Sequence, residues 1–251
     1  LAQTSGYADR FAAVGVDPAR IEVTGSVKYD AVSLADADRM TAVRERWRAD
    51  LGVGAEDRLL VAGSIHPPEH LELIEARRER PGWRLVLVPR HPDRAAYNPA
   101  LGDPSFGLVP LTRWEAEGKP ALTADQTLFV DRIGGLLDLY AAADVAFVGK
   151  SLVKPGGGQN PLEPAALGVP VVVGPYMRNF PGIIDDLLRQ GGARQVASRA
   201  DLVKVLDDWS SADARRVAGE AAQEAVAAGR GAADRIARAL ADLLVERRPL
   251  V

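Results

Sequence analysis

Short runs of apolar residues alternate with helical patterns along most of this chain. The runs predict strands at residues 59–62, 84–88, 108–111, 128–130, 144–148, 169–173 and 193–196. Helices are predicted between them at residues 69–79, 133–143 and 183–189. Nearly continuous apolar strands separated by helices are typical of a parallel sheet covered on both faces. The pattern therefore predicts an α/β fold, a Rossmann-like parallel sheet with helices on both faces.

The two ends of the chain carry different patterns. Thr4 or Ser5 can cap a helix to about Val14, and the pattern then predicts a short strand at residues 20–24 and a charged helix at 40–50. The polar residues 31–39 favour a connector. Near the other end, helices are predicted at residues 201–209 and 213–245, the latter broken near 229–231. Their charge pairs at i, i+4 favour solvated, bridging helices over membrane or nucleic-acid helices.

The segment Gly149–Pro164 carries the clearest chemical signal. It follows an apolar strand, crosses glycines 156–158 and enters a helix with Asn160 as N-cap and Glu163 three residues later, the pattern of a capping box. Glycines before a helix start let an anion approach free N–H groups. With the strand that follows, the segment forms a βαβ unit, in which ligands bind beyond the carboxyl ends of the strands.

Composition limits the function classes. The chain has 251 residues, 47% hydrophobic, and a net charge of −3, so no basic excess indicates a nucleic-acid partner. Without cysteine, a disulfide or a zinc-thiolate site is excluded, which fits a cytoplasmic protein. Three histidines without a ligand spacing argue against a metal site. No apolar run approaches the roughly 20 residues that span a bilayer. The start at Leu1, with no opening strand, predicts a fragment.

Five motifs in a fixed order resemble one known family. They are Val23-Thr-Gly-Ser-Val-Lys-Tyr-Asp30, Ala62-Gly-Ser-Ile-His66, Leu87-Val-Pro-Arg-His-Pro92, Gly134-Gly-Leu-Leu-Asp-Leu-Tyr140 and, with Ala141-Ala-Ala-Asp-Val-Ala-Phe-Val-Gly149 ahead of it, Gly156-Gly-Gly-Gln-Asn-Pro-Leu-Glu-Pro164. Together they resemble the donor-binding lobe of the bacterial 3-deoxy-D-manno-octulosonic acid (Kdo) transferases, glycosyltransferases with the two-lobed GT-B fold. The resemblance covers residues 1 to about 245.

The resemblance implies an organisation and an activity. Residues 1–50 would be the end of an N-terminal lobe plus the inter-lobe connector, and residues 51–251 the C-terminal donor-binding lobe with terminal bridging helices. The full-length protein would transfer Kdo, with inversion, from CMP-Kdo to a lipid A precursor, without a metal or other cofactor. The acceptor site and the catalytic base would lie in the N-terminal lobe, so no catalytic residue is expected here. That lobe would also associate with the inner face of the bacterial inner membrane.

The resemblance also implies a donor site. Its residues follow three predicted strands, and Ser26 and Lys28 are added as candidates for the Kdo carboxylate, ahead of Lys150 and Lys154. The expected nucleotide- and phosphate-binding residues are Gly63, Ser64, His66, Arg90, His91, Gly156, Gly157, Gly158, Gln159, Asn160 and Glu163. In related enzymes a glutamate near this helix start accepts hydrogen bonds from the donor ribose, and the Arg-His pair contacts CMP. Gln159 and Ser26 replace a histidine and an asparagine of the family.

Other interpretations of these residues remain open. Asn160 and Glu163 are explained equally by a capping box, and Ser64 by a local cap at a strand-to-helix turn. The chain is alternatively a lobe of a UDP-sugar-dependent GT-B transferase or epimerase, or a non-catalytic nucleotide-sugar binding module. Competition binding with CMP and UDP distinguishes a CMP-Kdo lobe from the first alternative. An acceptor lobe encoded upstream in the same reading frame excludes the second.

Overall fold

The computed structural model describes residues 1–32 and 37–246. The chain divides into two compact units, one within Leu34–Gln223 and the other within Leu1–Ser33 and Glu224–Val251. These units group residues by contact and do not identify lobes of a larger protein. The lobes expected for residues 1–50 and 51–251 therefore stay a prediction.

The larger unit contains a parallel sheet, as the apolar runs predict. In the described residues its strands follow the order β3-β4-β2-β1-β5-β6-β7, and every neighbouring pair is parallel. Strands β2 to β4 lie on one side of β1, and β5 to β7 lie on the other side. A topological switch point therefore lies between β1 and β5. The strands are β1 (Arg58–Ile65), β2 (Trp83–Pro89), β3 (Leu108–Pro110), β4 (Thr127–Phe129), β5 (Val145–Val148), β6 (Val171–Val173) and β7 (Ala193–Gln195).

The helices also follow the predicted alternation, with bounds that differ at several ends. Helix 69–79 is confirmed at both ends, whereas helix 133–143 begins later, because Gly134 and Gly135 have positive φ. The short helices α4 and α5 were not predicted. The bounds are α1 (Ser5–Ala13), α2 (Ala37–Leu51), α3 (Glu69–Glu79), α4 (Asn98–Gly102), α5 (Leu111–Ala116), α6 (Leu136–Ala142), α7 (Leu162–Ala166), α8 (Pro181–Gln190), α9 (Arg199–Asp208), α10 (Ala212–Gly229) and α11 (Ala232–Glu246).

Both faces of the sheet are buried. Leu60 and Ala62 of β1 belong to a core shared with side chains of α3 and α9, and the alternate residues Leu59 and Val61 belong to a core shared with α6. Because successive strand residues point to opposite faces, this double burial explains why the strand sequences are apolar without alternation.

Two predictions near the start of the chain need correction. The strand expected at residues 20–24 is wrong: Pro18–Arg20 form a 3₁₀ turn, with the Asp17 carboxylate accepting from Ala19 N, and Val23 makes only an isolated bridge to Ala2. Within residues 1–32 and 37–246, this alternating segment has no neighbouring strand to pair with. Of the predicted connector 31–39, residues 33–36 lie outside the described residues, and the last three belong to α2.

The smaller unit is organised by hydrogen bonds to α11. The Asp30 carboxylate accepts from Gly231 N at 2.6 Å and from Ala233 N at 2.8 Å, and these backbone bonds lower the pKa of Asp30. Arg235 Nε donates to Thr24 O at 2.9 Å. The break predicted near residues 229–231 is confirmed, and the segment 23–30 holds the start of the helix that follows it.

Candidate functional site

Three of the predicted segments meet at one edge of the sheet. Residues 63–65 end β1 and His66 follows it, Arg90 and His91 follow β2, and the glycine loop follows β5. These three strands are neighbours. Arg90 N donates to Ile65 O at 3.1 Å, and the His66 and His91 rings meet edge to face, with centroids 6.0 Å apart. The structure therefore brings the β1, β2 and β5 segments together at the edge where parallel α/β sheets bind ligands.

The end of β1 differs from the predicted strand-to-helix turn. The strand continues through Gly63 and Ser64 to Ile65, with a register shift against β2 between Gly63 and Ile65. Ser64 has a left-handed backbone, with φ of 54°, and α3 has no side-chain cap from its N-cap residue, Pro68. The interpretation of Ser64 as a helix cap is therefore wrong. Its carbonyl oxygen instead lies 3.3 Å from His66 Nδ1.

Gly63 is required by close packing under the site. A Cβ at this position would lie 2.0 Å from Tyr140 Oη and 2.8 Å from Leu136 Cδ1. Tyr140 is fully buried, and this burial, with the nearby charge of Glu163, raises the pKa of its phenol. Tyr140 therefore fills the space below β1 as a neutral side chain.

The glycine loop is packed against its own chain. Added Cβ atoms would lie 2.2 Å from Tyr176 Cβ at Gly156 and 2.3 Å from Met177 Sδ at Gly158, and at Gly157 2.8 Å from Asn179 Nδ2. The loop between β6 and α8 thus occupies the space that the missing side chains leave.

The N–H groups of this loop are largely used within the protein. Gly157 N donates to Tyr176 O, Gly158 N to Lys150 O, and Gln159 N to Gly149 O, at 2.9, 2.8 and 3.1 Å. The approach of an anion to the N–H groups at the helix start stays a prediction, whereas the N–H groups of Gly157, Gly158 and Gln159 are not free for an anion. Sequence could not reveal this, because a glycine that admits a ligand and one that admits another loop look alike.

Asn160 and Glu163 form half of the predicted capping box. Asn160 Oδ1 accepts from the N–H of Leu162, the first residue of α7, at 3.1 Å, although the residue directly before the helix is Pro161 and not Asn160 as predicted. The prediction of the reciprocal bond, from the Asn160 backbone N–H to Glu163, is wrong. Glu163 Oε1 instead accepts from the Asn160 side-chain amide at 3.1 Å. The second carboxylate oxygen of Glu163 takes no part in this bond, and the side chain is only partly buried.

Glu69 connects two of the strand ends, a role that the sequence did not indicate. The residue is fully buried, and its carboxylate accepts from His66 N and Lys150 N at 2.8 Å, and from the N–H groups of Ser151 and Leu152 at 2.9 Å. The bond to His66, three residues earlier, has the spacing of a capping box and was recognisable. The other three cross more than 80 residues of sequence and were not.

The edge carries a positive charge around His66. Burial lowers the pKa of His66, an effect opposed by the Ser64 carbonyl and reinforced by the positive charges of Arg94, Lys150 and His91. Arg90, which the sequence had indicated, is exposed at the same edge, whereas Arg94 was not predicted. This arrangement favours an anionic ligand, which would neutralise the charges that now repel one another.

Ser26 and Lys28 belong to the smaller unit. Ser26 is buried, and its Oγ accepts from Lys28 N at 3.4 Å, while Lys28 is exposed. Their role toward a sugar carboxylate stays a prediction, as does that of Lys154, which is exposed in the glycine loop.

A cleft of about 530 Å³ lies at the opposite edge of the sheet, where β5 and β6 begin. Its floor is organised by Asp144, which Arg44 and Arg48 each contact at 2.7 Å. Burial raises the pKa of Asp144, but the two guanidinium groups lower it more. Arg44 also donates to the carbonyl oxygens of residues 141–143 at the end of α6. These ion pairs and hydrogen bonds hold α2 against the end of α6 and the start of β5. The charged residues of the cleft therefore have a structural role.

The described residues contain neither a cluster suited to a metal ion nor a helix suited to a membrane. Within residues 1–32 and 37–246, no group of three or more His, Asp or Glu side chains is placed to hold a metal ion. In the same part of the chain, every helix is too short or too polar to cross a bilayer.

Three curated proteins that are similar to this chain over most of its length share one description. A 3-deoxy-D-manno-octulosonic acid transferase of Bordetella pertussis is 36% identical over 258 residues, covering 97% of this chain and 56% of the relative. That of Chlamydophila psittaci is 34% identical over 210 residues, covering 82% and 46%, and that of Haemophilus influenzae is 31% identical, covering 94% and 54%. The chain spans about half the length of these relatives. No protein family model matches it.

Solved structures show the same fold. The C-terminal CMP-Kdo binding domain of WaaA from Acinetobacter baumannii superposes with a TM-score of 0.61 at 24% identity, over 76% of this chain and 97% of that domain. WaaG, a glycosyltransferase involved in lipopolysaccharide biosynthesis, gives a TM-score of 0.54 at 16% identity, over 90% and 57%. The predicted fold class, a Rossmann-like lobe of a GT-B glycosyltransferase, is confirmed.

Proposed function

This chain belongs to the family of 3-deoxy-D-manno-octulosonic acid (Kdo) transferases, and we propose that it forms the lobe that binds the donor, CMP-Kdo. The observation that carries the proposal is the meeting of three motifs at the carboxyl ends of β1, β2 and β5. The similar WaaA domain, described as CMP-Kdo binding, supports the choice of donor. On this proposal, the full-length protein transfers Kdo to a lipid A precursor.

In the proposed complex, side chains recognise the phosphate and the nucleoside. Arg90, Arg94 and Lys150 supply positive charge at the edge, and the His66 and His91 rings offer hydrogen-bonding nitrogens. Because three N–H groups of the glycine loop are already bonded, these side chains and the start of α7 carry the phosphate interaction. Glu163 then accepts from the ribose hydroxyls through the oxygen that Asn160 does not engage.

The chemistry follows from the charge that develops on the leaving group. When the acceptor hydroxyl attacks the anomeric carbon of Kdo, CMP departs with an additional negative charge on its phosphate. Positive side chains fixed at the sheet edge stabilise that charge. The base that removes the acceptor proton belongs, on this proposal, to the remaining half of the relatives' length, together with the acceptor site and the contacts that hold the protein at the inner face of the bacterial inner membrane. Transfer inverts the anomeric centre and needs no metal ion, so EDTA should leave CMP binding unchanged.

The proposed site is tested by mapping CMP onto the protein with NMR. Amide shifts should change at residues 63–66, 90–91, 150–152, 159–160 and 162–163, which lie at that edge. Amides around Asp144, at the opposite edge, should not move. Shifts confined to the Asp144 cleft would contradict the proposed site.

A transfer assay tests whether this chain binds the donor while the rest of the full-length protein supplies the catalytic base. The 251-residue chain should bind CMP and transfer no Kdo to a lipid A precursor, while the full-length protein does. A missing base alone costs roughly 10²–10⁴-fold in rate, before the acceptor position is counted. Turnover by the chain alone would mean that its own residues supply the base.

A further inference from the structure

Glu69 joins the ends of β1 and β5 at the switch point of the sheet. One carboxylate oxygen, Oε2, accepts from His66 N and Lys150 N, both at 2.8 Å. The other, Oε1, accepts from Ser151 N and Leu152 N, both at 2.9 Å. Four N–H donors therefore surround one fully buried carboxylate.

The residues on either side of this contact have unusual backbones. Ser64 and Lys150, with φ of 54° and 57°, are two of the three non-glycine residues with positive φ in the described part of the chain. Such conformations persist only where surrounding contacts enforce them, and they concentrate at functional sites. The Glu69 carboxylate supplies such a contact directly at Lys150 and, through His66 N, two residues beyond Ser64.

The same contact extends to β6. Ser151 is fully buried, and its Oγ donates to Val148 O at 2.5 Å and accepts from Gly174 N at 2.8 Å. Glu69 and Ser151 thus connect the ends of three neighbouring strands, β1, β5 and β6. A carboxylate that only capped α3 would need the bond to His66 alone, whereas three of its four bonds go to the segment leading into the glycine loop.

We propose that Glu69 is a positioning residue for the donor site, which fixes Lys150 and the start of the glycine loop relative to His66. This inference rests on the proposed function, because the groups that it places are those proposed to meet the donor phosphate. Glu69 itself is buried and does not touch the ligand.

Glu69→Gln is the informative substitution, because glutamine has nearly the same shape but a different hydrogen-bonding capacity. Its amide offers one accepting oxygen and one donating NH₂ group. In either orientation the NH₂ group would face two backbone N–H donors. We expect two bonds to be lost and the loop to shift, so that CMP affinity falls at least about tenfold.

Two variants serve as matched controls. Glu72→Gln removes the same charge from the first turn of the same helix, at a partly exposed position. Asp144→Asn removes a buried carboxylate that accepts from Leu59 N and two arginines at the opposite edge of the sheet. Asp144→Asn should lower the melting temperature at least as much as Glu69→Gln, so it reveals what a loss of stability alone does to CMP affinity.

The experiment combines calorimetry with CMP and amide hydrogen exchange, on the 251-residue chain well below its melting temperature. Glu69→Gln should weaken CMP binding and speed exchange at Lys150, Ser151 and Leu152, while both controls bind CMP like wild type. Equal CMP affinity in Glu69→Gln and wild type would overturn the inference and leave the proposed function standing. If wild type binds no CMP, the proposed function fails, and with it the donor-site role of Glu69, whatever exchange shows.

Discussion

Replacing Glu163 separates its capping role from its proposed contact with the donor ribose. In the structure its Oε1 accepts one hydrogen bond, from Asn160 Nδ2 at 3.1 Å, in a partly buried setting. Glutamine keeps an oxygen for that bond, so Glu163→Gln should change the free energy of unfolding by less than about 0.5 kcal/mol. Alanine removes the bond, and Glu163→Ala should cost about 0.5–1.5 kcal/mol.

Ligand binding should respond differently. A carboxylate that accepts from a ribose hydroxyl contributes a charge-assisted bond, and its loss should weaken CMP binding by about 1–3 kcal/mol, or roughly 5- to 150-fold in Kd. Both variants should show this loss, although only alanine lowers stability. The assay is calorimetry with CMP beside denaturant unfolding, with Glu220→Gln, on the exposed surface of α10, as the control. Full CMP affinity in Glu163→Gln would refute the ribose contact and reduce the residue to a cap.

Two further predictions concern stability. Gly63→Ala should destabilise the protein by about 1–3 kcal/mol in denaturant unfolding, because the new Cβ would lie 2.0 Å from Tyr140 Oη; an unchanged midpoint would show that Tyr140 moves freely. Burial lowers the pKa of His66 and His70 below the usual 6.5. As the pH falls, the unfolded chain therefore binds protons at these histidines before the folded chain does. The free energy of unfolding should consequently decrease as the pH is lowered from about 7.5 to about 5.5. His70→Gln should flatten this dependence in the same unfolding experiment, and an equal slope would contradict the assignment.

The sheet could be predicted because its strands are apolar on both faces. Leu59 to Ala62 and residues 144–148 show no polar alternation, and burial on two sides is the reason. Helix 69–79 was predicted to the residue, since two prolines precede it and Leu73, Ile74 and Ala76 supply apolar positions in its middle. The prediction of a strand at residues 20–24 was wrong because alternating apolar residues show only a tendency to be extended. A strand also needs a neighbouring strand to hydrogen-bond with.

The location of the site could be predicted from the sequence, but its hydrogen bonds could not. Strand-end motifs indicated the correct edge, since parallel topology aligns their carboxyl ends. The bonding of the N–H groups of Gly157, Gly158 and Gln159 to residues 149, 150 and 176 depends on how two loops pack, and the bonds from residues 150–152 to Glu69 cross more than 80 residues of sequence. Neither leaves a periodic signal in the sequence.

Calorimetry of the 251-residue chain with CMP and with UDP is the decisive experiment, because the proposed lobe binds the CMP part of CMP-Kdo. CMP should bind at least about tenfold more tightly than UDP, and Arg90→Ala should weaken CMP binding. UDP binding as tightly as CMP would contradict the donor assignment.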